Sequence, residues 1–241
     1  MHVHLFSDYQ RLSRATADVI RDYITKTPNA LVCLASGHSP LGVFECLVKD
    51  IHAGQLDVSQ CTFVGLDEWV GIAPNQNGSC REMMDKSFFE PAGISENQIA
   101  FFDALSPNLQ TEADRINALI ERRGGLDIML VGVGTNGHIA MNEPGTPFTI
   151  AAHVSTLAEE TKTVGQKYFE QSTILDKGIT LGLKHVREAK LPILLANGRK
   201  KNDILKKAFT ITPSPEIPAS IFQTLAHGLV MLDVEAGEGL K

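Results

Sequence analysis

The chain has 241 residues, of which 43% are hydrophobic and 21% are charged, and its formal net charge is −6. This size predicts a substantial core, and the acidic balance argues against nucleic acid or a membrane surface as a partner. The four cysteines lack metal-binding spacing, and we find no signal peptide or membrane-spanning run, so we expect a cytoplasmic protein.

Short apolar runs alternate with amphipathic segments along the chain. The apolar runs predict strands at residues 30–35, 61–66, 126–133, 191–196 and 228–234, with a weaker strand at 3–6 or 98–102. The amphipathic segments predict helices at residues 9–25, 39–53, 79–89, 109–123 and 200–209. This alternation is typical of an α/β fold with a mostly parallel sheet and helices on both faces, and we expect one domain over residues 1–241.

Four loops follow predicted strands and contain the unusual residues of the chain. They begin after residues 35, 66, 133 and 196. Ligands of open parallel sheets bind beyond the carboxyl ends of the strands, so these loops form the candidate site. The 146–174 segment is polar and weakly patterned, which is typical either of a mobile cover over a site or of two ordinary surface helices.

Two of the loops have compositions that suit an anion. Ser36-Gly37-His38-Ser39 leads into a helix, with Ser39 expected as the N-cap and Pro40 at the first helical position. Free N–H groups at a helix start attract phosphate, although plain capping is the commoner explanation. Gly198-Arg199-Lys200-Lys201 concentrates cations at a strand-to-helix turn, which favours a phosphate contact over a solvated helix start.

The loop after residue 66 begins with two adjacent carboxylates. Asp67 and Glu68 follow an apolar strand, and the only tryptophan of the chain, Trp69, comes next. A partly desolvated carboxylate at a strand end has a raised pKa and acts readily as a base. A helix cap or a solvated turn has the same sequence pattern, so the residues alone leave both explanations open.

The loop after residue 133 combines glycines, a histidine and a carboxylate. Glycines at 132, 134 and 137 fit G-x-G-x-x-G, but Asn142-Glu143-Pro144-Gly145 would end any helix opened there, which argues against a dinucleotide site. We favour a catalytic interpretation, with His138 as the acid or base and Asn136 and Glu143 as its orienting partners. The remaining histidines form no ligand pattern, so we expect no metal.

Together these loops resemble the glucosamine-6-phosphate deaminase/isomerase family. The likeness is carried by Leu66-Asp67-Glu68-Trp69-Val70 and by the 134–145 stretch, and it extends from residue 9 to residue 234. The 67–70 stretch, followed by Gly78-Ser79-Cys80, is more similar to the galactosamine-6-phosphate branch. The resemblance implies a three-layer α/β/α fold with a Rossmann-like sheet. It also implies conversion of an amino-sugar 6-phosphate into a ketohexose 6-phosphate and ammonia, without a cofactor.

The resemblance also implies roles for individual residues. Asp67 would move the proton between C2 and C1, His138 would open the sugar ring, and Glu143 would orient His138 with Asn136 beside it. The residues implied in substrate and phosphate binding are Ser36, Gly37, His38, Ser39, Gly134, Lys167 and Lys201. Lys167 matches a position where the family often has a lid arginine, which makes the 146–174 segment the expected lid.

Two alternatives and several details stay open at this point. A 6-phosphogluconolactonase-type hydrolase shares the glycine-histidine loop, but Trp69 and Glu143-Pro144 argue against it. A non-catalytic sugar-phosphate-binding protein would explain His38 and Asn136, which depart from common family residues. The sequence does not decide between the galactosamine and glucosamine epimers, and we expect a monomer or a small homo-oligomer.

Overall fold

The structure is a computed structural model and describes residues 1–240. Its strands are β1 (His2–Phe6), β2 (Leu31–Leu34), β3 (Thr62–Gly65), β4 (Asp67–Trp69), β5 (Ile99–Ala100), β6 (Ile128–Val131), β7 (His153–Thr156), β8 (Lys177–Thr180), β9 (Leu191–Ala196) and β10 (Leu229–Asp233). Its α-helices are α1 (Tyr9–Lys26), α2 (Leu41–His52), α3 (Cys80–Met84), α4 (Leu109–Arg122), α5 (Glu159–Gly165), α6 (Leu183–Glu188) and α7 (Asn202–Thr210). Single helical turns occur at Asp85–Phe89, Glu96–Gln98, Gln166–Tyr168 and Arg199–Lys201, and a longer 3-10 helix spans Pro218–Thr224.

Seven strands form one parallel sheet in the order β1-β10-β9-β6-β2-β3-β5. The central strands β2 and β6 are buried along their whole length, because helices cover both faces. One apolar cluster packs α1 and α2 against the sheet, and the other packs α4, α6 and α7 against the opposite face. The predicted three-layer α/β/α fold is confirmed, and both of the alternative weak strands are present, as β1 and β5.

A second, three-stranded antiparallel sheet was not predicted from the sequence. It has the order β4-β8-β7, and Asp67 of β4 pairs with Thr180 of β8. Its strands are only three or four residues long, so they give too few alternations to distinguish strand from loop. Because β4 begins two residues after β3 ends, it carries Asp67 directly from the carboxyl end of the large sheet into the small one.

The start of α2 differs from the predicted cap. Ser39 was expected as N-cap, but α2 begins at Leu41, and Pro40 occupies the cap position without a side-chain hydrogen bond. The Tyr9 hydroxyl replaces the serine, because it accepts a hydrogen bond from the Gly42 N–H at 2.8 Å and donates one to the Ser39 carbonyl at 2.9 Å. A residue of α1 therefore fixes the loop that precedes α2.

The predicted 79–89 helix begins as expected and then changes its winding. The Ser79 hydroxyl caps α3 by accepting from the Glu82 N–H at 3.0 Å, and a π-helical turn follows over Asp85–Phe89. Within residues 1–240, no helix combines the length and apolar character that crossing a bilayer requires.

Candidate active site

The four loops chosen from the sequence meet around one cavity of about 220 Å³ at the carboxyl edge of the large sheet. Ser36, Asp67, His138 and Lys201, one from each loop, all line it. The 146–174 segment closes the remaining side with α5 and the turn after it. The arrangement places a carboxylate, an imidazole and a cation around a space large enough for a small polar molecule.

Asp67 is a buried carboxylate whose environment favours the protonated form more than water does. Its side chain lines the cavity but is only 7% exposed, and burial raises its pKa to about 6. A hydrogen bond from Cys80 opposes this shift. A carboxylate with a pKa near 6 is a stronger base than an ordinary aspartate and still ionises below pH 7.

Glu68 has a structural environment, in contrast to its neighbour. Its carboxylate accepts hydrogen bonds from the backbone N–H groups of Trp69, Cys80 and Arg81, each at 2.9 Å. These bonds fix the start of α3 against β4, and burial raises the pKa of Glu68 to about 7 in spite of the three donors. The two adjacent carboxylates therefore lie in different surroundings: Glu68 is bonded to backbone N–H groups, and only Asp67 lines the cavity.

His138 lies in the loop after β6 and has a carboxylate and an amide behind it. The Asn136 amide donates to Glu143 Oε2 at 3.0 Å, and Asn136 Oδ1 accepts from the His138 backbone N–H at 3.0 Å. His138 Nδ1 is 3.8 Å from Glu143 Oε2, beyond hydrogen-bond distance. Burial lowers the pKa of His138, Glu143 opposes this shift, and Lys201 reinforces it.

Gly134 makes room for the imidazole. A Cβ atom at this position would overlap the His138 ring, so any larger residue would displace it. The Gly134 N–H also donates to the His138 carbonyl at 2.9 Å, which closes the loop around the histidine. The glycine that the dinucleotide pattern singled out therefore positions a catalytic candidate and borders the cavity.

The 36–39 loop and Lys201 have the features of an anion site. Gly37 has φ +98°, a conformation that glycine adopts without strain, and its neighbours Ser36, His38 and Ser39 also line the cavity. Lys201 donates to the Val133 carbonyl at 2.6 Å, and burial lowers its pKa.

Eight of the eleven predicted site residues line the cavity. They are Ser36, Gly37, His38, Ser39, Asp67, Gly134, His138 and Lys201. Asn136 and Glu143 do not line the cavity; the Asn136 side chain bonds both to Glu143 and to the His138 backbone N–H. Lys167 is exposed and does not line the cavity; its neighbour Tyr168 lines it instead and stacks on His38 with ring centroids 5.3 Å apart.

The cavity residues that the sequence analysis did not choose include Cys80, Thr161 and Tyr168. Thr161 and Tyr168 come from the weakly patterned 146–174 segment, and their contacts with the loops join distant parts of the chain, so no local spacing reveals them. Cys80 was noted in the sequence only as a branch marker. Residues 1–240 contain no group of three or more His, Cys, Asp or Glu side chains arranged to hold a metal ion.

The sequence also matches a known family model. Residues 8–231 match the family described as glucosamine-6-phosphate isomerases/6-phosphogluconolactonase, which covers nearly the whole fold. The chain belongs to this glucosamine-6-phosphate isomerase/6-phosphogluconolactonase family. The predicted family resemblance is thereby confirmed.

The chain is similar in sequence to individual members of the family. It is 38% identical over 219 residues to an Escherichia coli protein named "Putative deaminase AgaI", covering 88% of this chain and 84% of that protein. It is 35% identical to a glucosamine-6-phosphate deaminase from Lachnoclostridium phytofermentans, covering 90% of this chain and 92% of that one.

Solved structures of the family agree with the fold. The solved structure of a monomeric glucosamine-6-phosphate deaminase superimposes with a TM-score of 0.94 at 30% identity, covering 98% of this chain and 99% of that one. A 6-phosphogluconolactonase from Trypanosoma brucei gives a TM-score of 0.77 at 18% identity, covering 99% and 98% of the two chains, which shows the shared fold alone.

Proposed function

We propose that the protein is a cytoplasmic hexosamine-6-phosphate deaminase/isomerase. Its substrate would be galactosamine-6-phosphate or glucosamine-6-phosphate, and its products the ketohexose 6-phosphate and ammonia. One observation carries the proposal: Asp67 and His138 face a single cavity that the glycine-containing 36–39 loop and Lys201 also line. The deaminase names of its relatives support the same reaction class.

The geometry suggests how the reaction would proceed. The loop of residues 36–39 and Lys201 would hold the phosphate, which places the sugar head against Asp67 and His138. His138 would give a proton to the ring oxygen and take the proton of the C1 hydroxyl in exchange, which opens the ring. Asp67 would then remove the proton from C2 and deliver it to C1, leaving an imine at C2 that water hydrolyses to the ketone and ammonia.

We also propose that the 146–174 segment acts as a mobile lid. Residues from α5 and the following turn contribute one wall of the cavity, so displacement of this segment would open it to solvent. Enclosure by such a segment excludes water and strengthens the electrostatic interactions with a bound phosphate. The match to a monomeric deaminase supports a monomer or small homo-oligomer, which light scattering would measure.

Three assays on one preparation test the proposal. Wild-type protein is incubated separately with galactosamine-6-phosphate, glucosamine-6-phosphate and 6-phosphogluconolactone, and ammonium release and acidification are followed. We expect ammonium from at least one amino sugar, with the initial rates identifying the preferred epimer. Acidification with the lactone alone would instead indicate a lactonase. Thermal stabilisation by a sugar phosphate without turnover would indicate a binding protein.

The variant Asp67→Asn separates chemistry from binding. It keeps the size of the side chain but removes the base, so we expect ammonium release to fall by about 10²-fold or more. The phosphate end of the cavity is unchanged, so thermal stabilisation by the substrate should persist. A variant with wild-type turnover would refute the assignment of Asp67 as the base.

A further inference from the structure

A hydrogen bond joins the 146–174 segment to the candidate catalytic histidine. Thr161 Oγ1 lies 3.2 Å from His138 Nδ1, and Thr161 is only 5% exposed. Glu143 Oε2, the nearest carboxylate oxygen, is 3.8 Å from the same nitrogen and receives the Asn136 amide instead. A neutral hydroxyl, not a carboxylate, is therefore the hydrogen-bond partner of Nδ1.

The direction of this hydrogen bond follows from the available donors and acceptors. A buried hydroxyl hydrogen needs an acceptor, and within residues 1–240 His138 Nδ1 is the only hydrogen-bond partner of Thr161 Oγ1. The hydroxyl finds an acceptor within the described residues only by donating to Nδ1, which requires Nδ1 to be unprotonated. A neutral imidazole with a bare Nδ1 carries its proton on Nε2.

We propose that Thr161 is a positioning residue that fixes the neutral tautomer of His138 with its proton on Nε2. Among the described residues nothing hydrogen-bonds to Nε2, so this proton is available to a molecule in the cavity. This role rests on the proposed function: while α5 is in place, the Nε2–H of His138 acts as the acid toward the sugar ring oxygen. Removal of Thr161 would leave Nδ1 facing only Glu143, whose carboxylate favours a proton on Nδ1.

The charges around the ring determine the direction of the expected change. Glu143 behind the ring and Glu160 at the start of α5 favour the imidazolium, whereas burial and Lys201 favour the neutral form. The hydroxyl of Thr161 also favours the neutral form, because it can donate a hydrogen bond to Nδ1 only when the ring is neutral. Its loss therefore raises the pKa of His138.

Nuclear magnetic resonance of protein labelled with ¹⁵N in its histidines reports tautomer and pKa without requiring turnover. The variants are Thr161→Val, which has nearly the same shape without a hydroxyl, and Thr161→Ser, which restores it. Thr163→Val is the matched control, because Thr163 lies in the same helix, is exposed and donates only to the Glu159 carbonyl. The variant His138→Gln assigns the His138 signals.

We expect wild type, Thr161→Ser and Thr163→Val to show an Nε2 proton on neutral His138. In Thr161→Val we expect a shift toward the Nδ1 proton and a pKa higher by about half to one unit, as for the loss of one neutral hydrogen bond. With the better substrate, Thr161→Val should lower kcat more than it changes KM, and Thr161→Ser should restore kcat.

Two results would overturn the assignment of Thr161: an Nδ1 proton in the neutral wild-type ring, or identical His138 titrations in wild type and folded Thr161→Val. Equal thermal unfolding of the variants shows that they are folded. Failure of the proposed function is a separate outcome, because a wild type that releases no ammonium would still give an interpretable histidine titration.

Discussion

At the scale of single residues, the environment of Asp67 determines a pH dependence. Burial raises its pKa to about 6, and the proposed base is the ionised form. We expect kcat/KM to fall about tenfold per pH unit below an apparent pKa near 6. Initial rates between pH 4.5 and 8 check this, and an acid limb near pH 4, the value of an ordinary aspartate, would contradict the effect of burial.

The same residue connects activity with stability. Because the pKa of Asp67 is higher in the folded than in the unfolded state, the cost of ionising it in the folded protein is absent below about pH 4, grows between about pH 4 and 6, and stays constant above that range. Asp67→Asn should therefore have a Tm a few degrees above wild type at pH 8 and little difference at pH 4. Calorimetry at the two pH values measures this, and an equal difference at both would point to another cause.

Lys201 gives a prediction about phosphate binding. It is the cation of the 198–201 loop that lines the cavity, whereas the neighbouring Lys200 is exposed and does not. Loss of a charge-assisted hydrogen bond should raise KM by about 10- to 100-fold in Lys201→Ala. Lys200→Ala is the control and should leave KM near the wild-type value. Equal effects of the two variants would exclude a specific contact by Lys201.

At the scale of elements, the 146–174 segment is attached to the small sheet by aromatic packing. Trp69 of β4 is buried against Leu157, Leu175 and the edge of Phe169. The same strand contains Asp67, so the base and the attachment of the proposed lid share one element. The tryptophan beside the acid pair therefore has a structural role that the sequence did not identify.

The turn at Gln166–Tyr168 allows a test of which of its residues contacts the 36–39 loop, which we propose holds the phosphate. A Cβ on Gly37 would lie 3.2 Å from the Tyr168 hydroxyl, so this hydroxyl sits directly over the loop, whereas Lys167 is exposed. We expect Tyr168→Ala to raise KM by about tenfold and Lys167→Ala by less than twofold. Steady-state kinetics of both variants decide the matter. The opposite ranking would mean that movement of the segment brings Lys167 to the substrate.

At the scale of the whole molecule, the candidate site lies at one edge of the large sheet and a stabilising residue at the other. Asp127, just before β6, accepts from the Leu31 N–H at 2.7 Å and from Lys190 Nζ at 2.9 Å. Asp127→Ala would leave a buried N–H unpaired, which costs about 2–3 kcal/mol and lowers Tm by roughly 5–10 °C. Asp22→Ala, which removes an exposed ion pair, should lower Tm by less.

Because Asp127 is remote from the cavity, kinetic constants below the melting range should stay at the wild-type values. Calorimetry and steady-state rates on the same preparations test both statements. An Asp127→Ala protein with normal Tm would show that water satisfies the Leu31 N–H. One with normal Tm and altered KM would show that the two edges of the sheet are coupled.

The large sheet, the loops and the 146–174 segment as a cover were predictable, whereas the small sheet and the individual contacts of that cover were not. Long apolar runs such as 126–133 indicate buried parallel strands, and the rule for open sheets then brings Asp67 and His138 together. Thr161 and Tyr168 act through contacts across the cavity, and Tyr9 caps a helix 33 residues away, measured to Gly42. Such long-range contacts leave no local spacing to read.

The cover of the cavity is an excursion between two paired strands. β7 and β8 pair from His153 with Thr180 to Thr156 with Lys177, and the Leu157 N–H then bonds the Asp176 carbonyl, so the excursion starts and finishes at neighbouring points. The pairing of β7 with β8 holds the two ends of this loop together, and the entropy cost of closing a loop depends only weakly on its length. A change in the length of the loop therefore has little effect on stability. Residues 158–175 can thus be exchanged as one segment while Asp67 stays paired with Thr180, provided that the new segment keeps a hydroxyl at the position of Thr161, where His138 needs it.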